Sequence, residues 1–181
     1  MERHDIIARV RGATDEPMTE GAVHERVRQA LEASGTSFVV HRHSGFPVPI
    51  HRPEDVARCL GYEIDRIVKT LFLRAEPARE FCLVSVPASR RVSLSSAARA
   101  LQVDAVFLAT PDELRTELGY PARGVSPLGA GERRVLVDAR LLEFPTVLIG
   151  AGAGGIDIEL DTSALMRLTL PTVVDVCEPA G

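Results

Sequence analysis

The sequence predicts a mixed α/β chain of the α+β class: a mixed, mostly antiparallel sheet curled toward a partial barrel, with helices packed outside it. Three observations predict it. Short β-branched runs with alternating apolar residues recur along the chain, capped helical segments interrupt them irregularly, and several runs are joined by turns short enough for antiparallel neighbours. With 181 residues, 45% hydrophobic content, 4% aromatics and no tryptophan, the core is expected to be aliphatic and the chain one domain in size.

The elements follow in order. Residues 1–19 mix Arg, Asp, Glu, Gly and Pro without sustained periodicity and read as a loosely held extension with a short strand at Ile6-Ile7; residues 20–178 read as a single domain. Ala22, Val23, Val27, Ala30 and Leu31 recur at helical spacing, and Gly35 suits the left-handed cap that closes such a helix. Ser37 to His41 reads as a strand. Pro53 at a first helical position, Glu54 and Asp55 in the first turn and Gly61 past the end outline a short helix. Ile67 to Leu73 is a strand, and Glu80 to Val86 its hairpin partner across a turn at Glu76-Pro77. Ser93 to Leu101 is an alanine-rich helix and Ala105 to Leu108 a strand. Thr110-Pro111-Asp112-Glu113 is a capping box, opening a helix that Gly119 ends. Tyr120 to Gly131 holds too many Gly and Pro residues for regular structure, and loops of that kind commonly carry function. Strands at Arg134–Asp138, Thr146–Ile149, Ile156–Leu160 and Thr172–Val176, with a helix from Asp161 to Leu168, complete the chain.

Composition excludes several classes. A formal net charge of -4 argues against a protein that holds nucleic acid in a broad basic field, leaving only local patches at Arg26 and Arg28, Arg90-Arg91 and Arg133-Arg134. Cys59, Cys82 and Cys177 stand far apart without a Cys-x-x-Cys pair, which fits neither a disulfide framework nor a zinc site, and they read as small core residues in a reducing cytoplasm. No run is long and apolar enough for a membrane span. Of His41, His43 and His51, the first two share a strand face, but a third ligand would have to come from a distant part of the chain with no carboxylate cluster nearby, so no metal is expected. The Gly150–Gly155 run is followed by a strand rather than the helix a dinucleotide fingerprint requires, and reads as a hairpin connection.

Lys69 is the one lysine against twenty arginines, and it lies inside the apolar run Ile67–Leu73. Strand alternation turns it away from the core-building neighbours toward whatever faces the other side of the sheet. Lysine there supplies a compact charge with a tunable pKa, or else simply snorkels from a strand edge.

Three motifs in order carry a resemblance: Val68-Lys69-Thr70-Leu71; Gly119-Tyr120 followed by Gly124-Val125-Ser126-Pro127-Leu128-Gly129; and Gly155-Ile156-Asp157-Ile158-Glu159-Leu160. From Val23 to Val176 the chain resembles the YbaK-like family, which comprises the editing domain of bacterial prolyl-tRNA synthetases and free-standing relatives that hydrolyse mischarged aminoacyl-tRNAs. The resemblance implies a trans-editing deacylase that cleaves a small amino acid such as Ala or Cys from a proline tRNA, without cofactor. Its partners would be the aminoacyl-tRNA 3′ end and a synthetase. It also implies Lys69, Gly124 and Asp157 as catalytic positions, with His43, Arg123, Val125, Ser126, Pro127 and Gly152 binding substrate. Backbone N–H groups of the Gly124–Pro127 loop would meet the ester carbonyl. Ser126 precedes a proline and has no base assigned to it, so a lining or turn role is expected rather than a nucleophile. The chain departs from the family pattern at Leu118, at Arg123 and at Ala153-Gly154, where relatives commonly have threonine, glycine and basic residues, and His43 falls where some relatives have tyrosine. Those departures leave a second reading, a binding module for an aminoacyl or aminoacyl-adenosine group without turnover.

Overall fold

Local chemistry sets the helix ends. Thr110 accepts the Glu113 amide while the Glu113 side chain accepts the Thr110 amide, so the expected capping box opens its helix, and Gly35, Gly61 and Gly119 close three helices in the left-handed conformation. The structure, a computed structural model, describes residues 8–10 and 22–179. The helices are α1 (Glu25–Ser34), α2 (Pro53–Leu60), α3 (Leu94–Leu101), α4 (Pro111–Leu118) and α5 (Thr162–Thr169). Each matches an expected segment to within a few residues. The strand expected at Ile6-Ile7 lies outside the described residues.

The α+β class and the mostly antiparallel pairing are as expected, but the strands divide between two sheets and neither closes into a barrel. In the first, β1 (Ala8–Val10), β2 (Phe38–Arg42), β8 (Ile156–Asp161) and β7 (Thr146–Gly150) lie in the order β1-β2-β8-β7, all antiparallel. In the second, β5 (Ala105–Leu108), β3 (Val68–Glu76), β4 (Glu80–Pro87), β6 (Arg134–Asp138) and β9 (Thr172–Val174) lie in the order β5-β3-β4-β6-β9; β6 runs parallel to β4 and to β9. A parallel bridge between Ile67 and Leu148 stitches the two sheets at one corner.

The largest hydrophobic cluster joins the sheets. Val68, Phe72, Leu83, Val135 and Val137 of the second sheet share it with Val147, Ile149, Ile156, Ile158 and Leu160 of the first, and α1, α4 and α5 add Leu31, Leu118 and Leu165. On the other face of the second sheet, Leu73, Ala75, Cys82, Val84, Val86 and Leu136 pack against Ala97, Ala98 and Leu101 of α3. Burial on both faces explains why β4 reads as a nearly continuous apolar run rather than an alternating one. Lys69 shares its strand face with Leu71 and Leu73, and the second core cluster, under α3, is what lies on that side of the sheet. A third cluster, Val56 and Ala57 of α2 with Ile67 and Leu148, closes the corner where the sheets meet.

Candidate active site

A cavity of about 590 Å³ opens beside that corner. The first residues of β3, the loop around Gly124, the end of β7, the start of β8 and the segment leading into α2 all contribute to its wall. Lys69, Asp157, Gly124, His43, Arg123 and Val125 line it together, although they are spread over more than a hundred positions of sequence. Ser126, Pro127 and Gly152 do not lie on this wall; all three are buried behind it.

The loop is held by close backbone contact. The Gly152 N–H donates to the Gly124 carbonyl at 2.7 Å, and Gly124 itself adopts φ +97°, a conformation open to glycine. Gly152 is pressed against His24 and Tyr120, where an added Cβ would come within 2.6 Å of His24 Cβ. Behind the loop, the buried Tyr120 hydroxyl donates to the Leu128 carbonyl at 2.6 Å, and burial pushes that phenol far above its ordinary pKa. Ser126 Oγ accepts the Leu128 amide at 3.2 Å. The serine therefore shapes the turn.

Lys69 reaches the cavity from β3, and its ammonium donates to the Arg90 carbonyl. Burial lowers its pKa from the ordinary lysine value. An ammonium held by one carbonyl keeps two further N–H donors for a ligand.

Two histidine–carboxylate pairs cross from the β2 end to β8. Antiparallel register sets His41 opposite Asp157, so the side chains at 41, 157 and 159 share one face of the first sheet. His41 Nε2 lies 3.0 Å from Glu159 Oε2, and His43 Nε2 lies 2.7 Å from Asp157 Oδ2. Glu159 also accepts from the Tyr62 hydroxyl at 2.7 Å, the Thr146 hydroxyl at 2.9 Å and the Arg66 guanidinium. These donors, His41 first, hold its carboxyl down at about 2. The face on which alternation would leave Asp157 and Glu159 solvated is thus covered by Tyr62 and Arg66, which stack with the guanidinium carbon 3.8 Å from the ring centroid. Sequence reasoning missed Tyr62, Arg66 and Thr146. The shared parity of Asp157 and Glu159 was a signal for a polar cluster, but Tyr62 and Arg66 come from 97 and 93 residues away, and Thr146, 13 residues away, joins them only through strand pairing.

Several arginines marked as local patches are engaged internally. Arg28 pairs with Glu25 and Glu32, Arg133 with Glu117, and Arg134 donates to the Leu101 carbonyl at 2.6 Å. Arg52 and Arg123 line the cavity and are exposed, with Arg52 4.0 Å from the Glu54 and Asp55 carboxylates. Among the described residues, no three His, Cys, Asp or Glu side chains gather as metal ligands, and no helix is long and apolar enough to cross a membrane.

Residues 48–168, a span that contains most of this wall, match the aminoacyl-tRNA editing domain family. The chain belongs to that family. Over 117 residues it is 28% identical to the "Putative Cys-tRNA(Pro)/Cys-tRNA(Cys) deacylase EbsC" of Enterococcus faecalis, covering 64% of this chain and 71% of that protein. Over 106 residues it is 26% identical to a proline--tRNA ligase of Thermosipho melanesiensis, covering 56% of this chain but only 18% of the ligase. A crystal structure described as "a putative trans-editing enzyme for prolyl tRNA synthetase" superposes with a TM-score of 0.75 at 26% identity, covering 87% of this chain and all of that one.

Proposed function

We propose that the protein is a trans-acting aminoacyl-tRNA deacylase that hydrolyses the ester of a wrongly attached small amino acid, such as alanine or cysteine on a proline tRNA, in the cytoplasm. The observation that carries this reading is the meeting of Lys69, the Gly124 loop and Asp157 around one cavity. Ester hydrolysis places negative charge on a carbonyl oxygen, and the backbone N–H groups of a glycine loop approach such an oxygen closely. The Lys69 ammonium steadies that charge or the terminal phosphate, and the Asp157 carboxylate receives the ammonium of the amino acid. An aminoacyl ester is already activated, so a strong protein nucleophile is not required. A volume of about 590 Å³ is in keeping with a terminal nucleoside and a small side chain.

In this reading Ser126, Pro127 and Gly152 support the wall from behind, while Val125 and Arg123 form part of its surface. The partners are the 3′ end of an aminoacyl-tRNA and the synthetase that mischarges it. The test is to incubate the purified protein with a panel of mischarged tRNAs and follow loss of the ester. Faster loss from Ala- or Cys-tRNA(Pro) than from matched pairs is expected. No acceleration on any aminoacyl-tRNA by folded protein overturns the reading, and tight binding with the ester intact would replace it with a binding module.

A further inference from the structure

His41 and His43 sit two residues apart and are held in the same way, yet only one of them is placed to act. Each directs Nε2 at a β8 carboxylate, His41 at Glu159 and His43 at Asp157. An ionised carboxylate accepts and cannot donate, so in each neutral ring Nε2 carries the hydrogen and Nδ1 carries the lone pair. Access separates them. The His41 side chain is 2% exposed and its Nδ1 is buried without a partner, whereas the His43 side chain is 23% exposed and lines the cavity. His43 Nδ1 takes no hydrogen bond among the described residues.

His43 is also fixed before any ligand arrives. Its N–H donates to the Gly155 carbonyl at 2.9 Å, and its ring stacks on Phe46 with centroids 5.8 Å apart and planes at 25°. With Nε2 bound to Asp157 at 2.7 Å, the main chain, the ring face and one ring nitrogen are all set by different neighbours. Such an imidazole keeps a preoriented lone pair, and its side chain lies on the wall of the cavity that the Gly124 loop and Lys69 also line.

We infer that His43 is the general base of the hydrolysis and that Asp157, through Oδ2, is the positioning residue that fixes its tautomer; this rests on the deacylase reading above. Nδ1 removes a proton from a water as the water oxygen bonds to the ester carbonyl carbon. The tetrahedral species then collapses by breaking the bond from that carbon to the ribose oxygen, which departs with the proton held on the imidazolium. Free amino acid and a tRNA with a terminal hydroxyl result, and the imidazole returns to its starting state. The remaining Asp157 oxygen serves the substrate ammonium.

The test is steady-state hydrolysis of the best mischarged tRNA as a function of pH, between about pH 5 and 9 where imidazoles titrate. The variants are His43→Gln, His43→Gly and Asp157→Asn. Other titratable or charged groups face or underlie the same space: Asp157 and Glu159 of β8, His41 of β2, His51 and Arg52 ahead of α2, Lys69 of β3 and Arg123 of the loop. Only the His43 variants should remove the acid limb of the profile. His43→Gln, which keeps a donor for Asp157 but takes no proton, is expected to lower kcat by about 10²-fold or more with little change in KM. Added imidazole should restore turnover to His43→Gly, and Asp157→Asn should lower kcat while keeping a shifted limb.

Wild-type activity with an unchanged profile in His43→Gln overturns the inference and leaves the deacylase reading intact. A loss in the His43 variants that tracks a lowered Tm and is not rescued by imidazole assigns His43 a structural role and also overturns it. No hydrolysis by the wild type overturns both.

Discussion

Gly124 and Ala153 meet backbone to backbone: a Cβ on Gly124 would lie 2.1 Å from the Ala153 carbonyl oxygen. The cavity loop is therefore welded to the β7–β8 connection, and the contact leaves no room for a side chain. Gly124→Ala must move one of the two backbones and strain a positive φ, at a cost of about 1–3 kcal/mol. The expected outcome is a fall in Tm of several degrees together with loss of deacylation. A thermal melt paired with the ester assay checks both, and an unchanged Tm would show that the loop yields more easily than the packing implies.

Lys69 should separate stability from activity. Because burial lowers its pKa, the charged form is disfavoured by the fold, so at neutral pH the ammonium is a net cost, offset in part by its bond to the Arg90 carbonyl and by the Glu54 charge. Lys69→Met, which keeps the aliphatic stem, is expected to leave Tm unchanged or slightly raised. Deacylation should fall by about 10²-fold, the scale on which a preorganised charge donor acts. Equal losses of stability and activity would assign the lysine to the core instead.

Acid should attack the cluster around Glu159. Its folded pKa of about 2 lies below the ordinary carboxylate value of 4.5, so it contributes stability that is fully present above the ordinary value. That contribution is lost as pH falls through the window from about 4.5 to about 2. At 1.36 kcal/mol per unit the loss is on the order of 3 kcal/mol. Urea titrations at stepped pH should show it in the wild type, and Glu159→Gln should be less stable at neutral pH and flatter across this window. A wild-type profile as flat as that of the variant would count against the network.

Binding to tRNA should depend only weakly on salt. Arg28, Arg133 and Arg134 are engaged by the protein itself and do not line the cavity, whereas Arg52, Arg123 and Lys69 do, and these are the cations placed for phosphates. Two or three contacts to a single strand predict a slope of log K against log salt near -2, at about 0.7 per phosphate. Arg123→Ala should reduce that slope by about 0.7. A mischarged minihelix titrated across a salt series measures it, and a wild-type slope on the order of -6 would require a further basic surface.

Periodicity and caps made most elements legible. The Thr110 capping box, the Pro53 start and Gly61 end of α2, and the bounds of β5 and β6 all follow from residues within a few positions of one another, because capping and alternation are local physics. The motif residues Lys69, Gly124 and Asp157 were equally legible as candidates. What surrounds them was not. That β2 pairs with β8, bringing His41 and His43 onto Glu159 and Asp157, depends on a choice of strand partner more than a hundred residues away.

The division into two sheets, the burial of the Lys69 face beneath α3, and the retreat of Ser126, Pro127 and Gly152 behind the wall were likewise settled by packing. Local residue patterns set most helices and strands, and the ordered motifs carried the family and the chemical types available to the site. Which of those side chains face a common space was left to long-range packing. The cavity is bounded by five separate stretches of chain, and their meeting is set by how the hydrophobic clusters bury against one another, a non-local balance that no short window of residues contains.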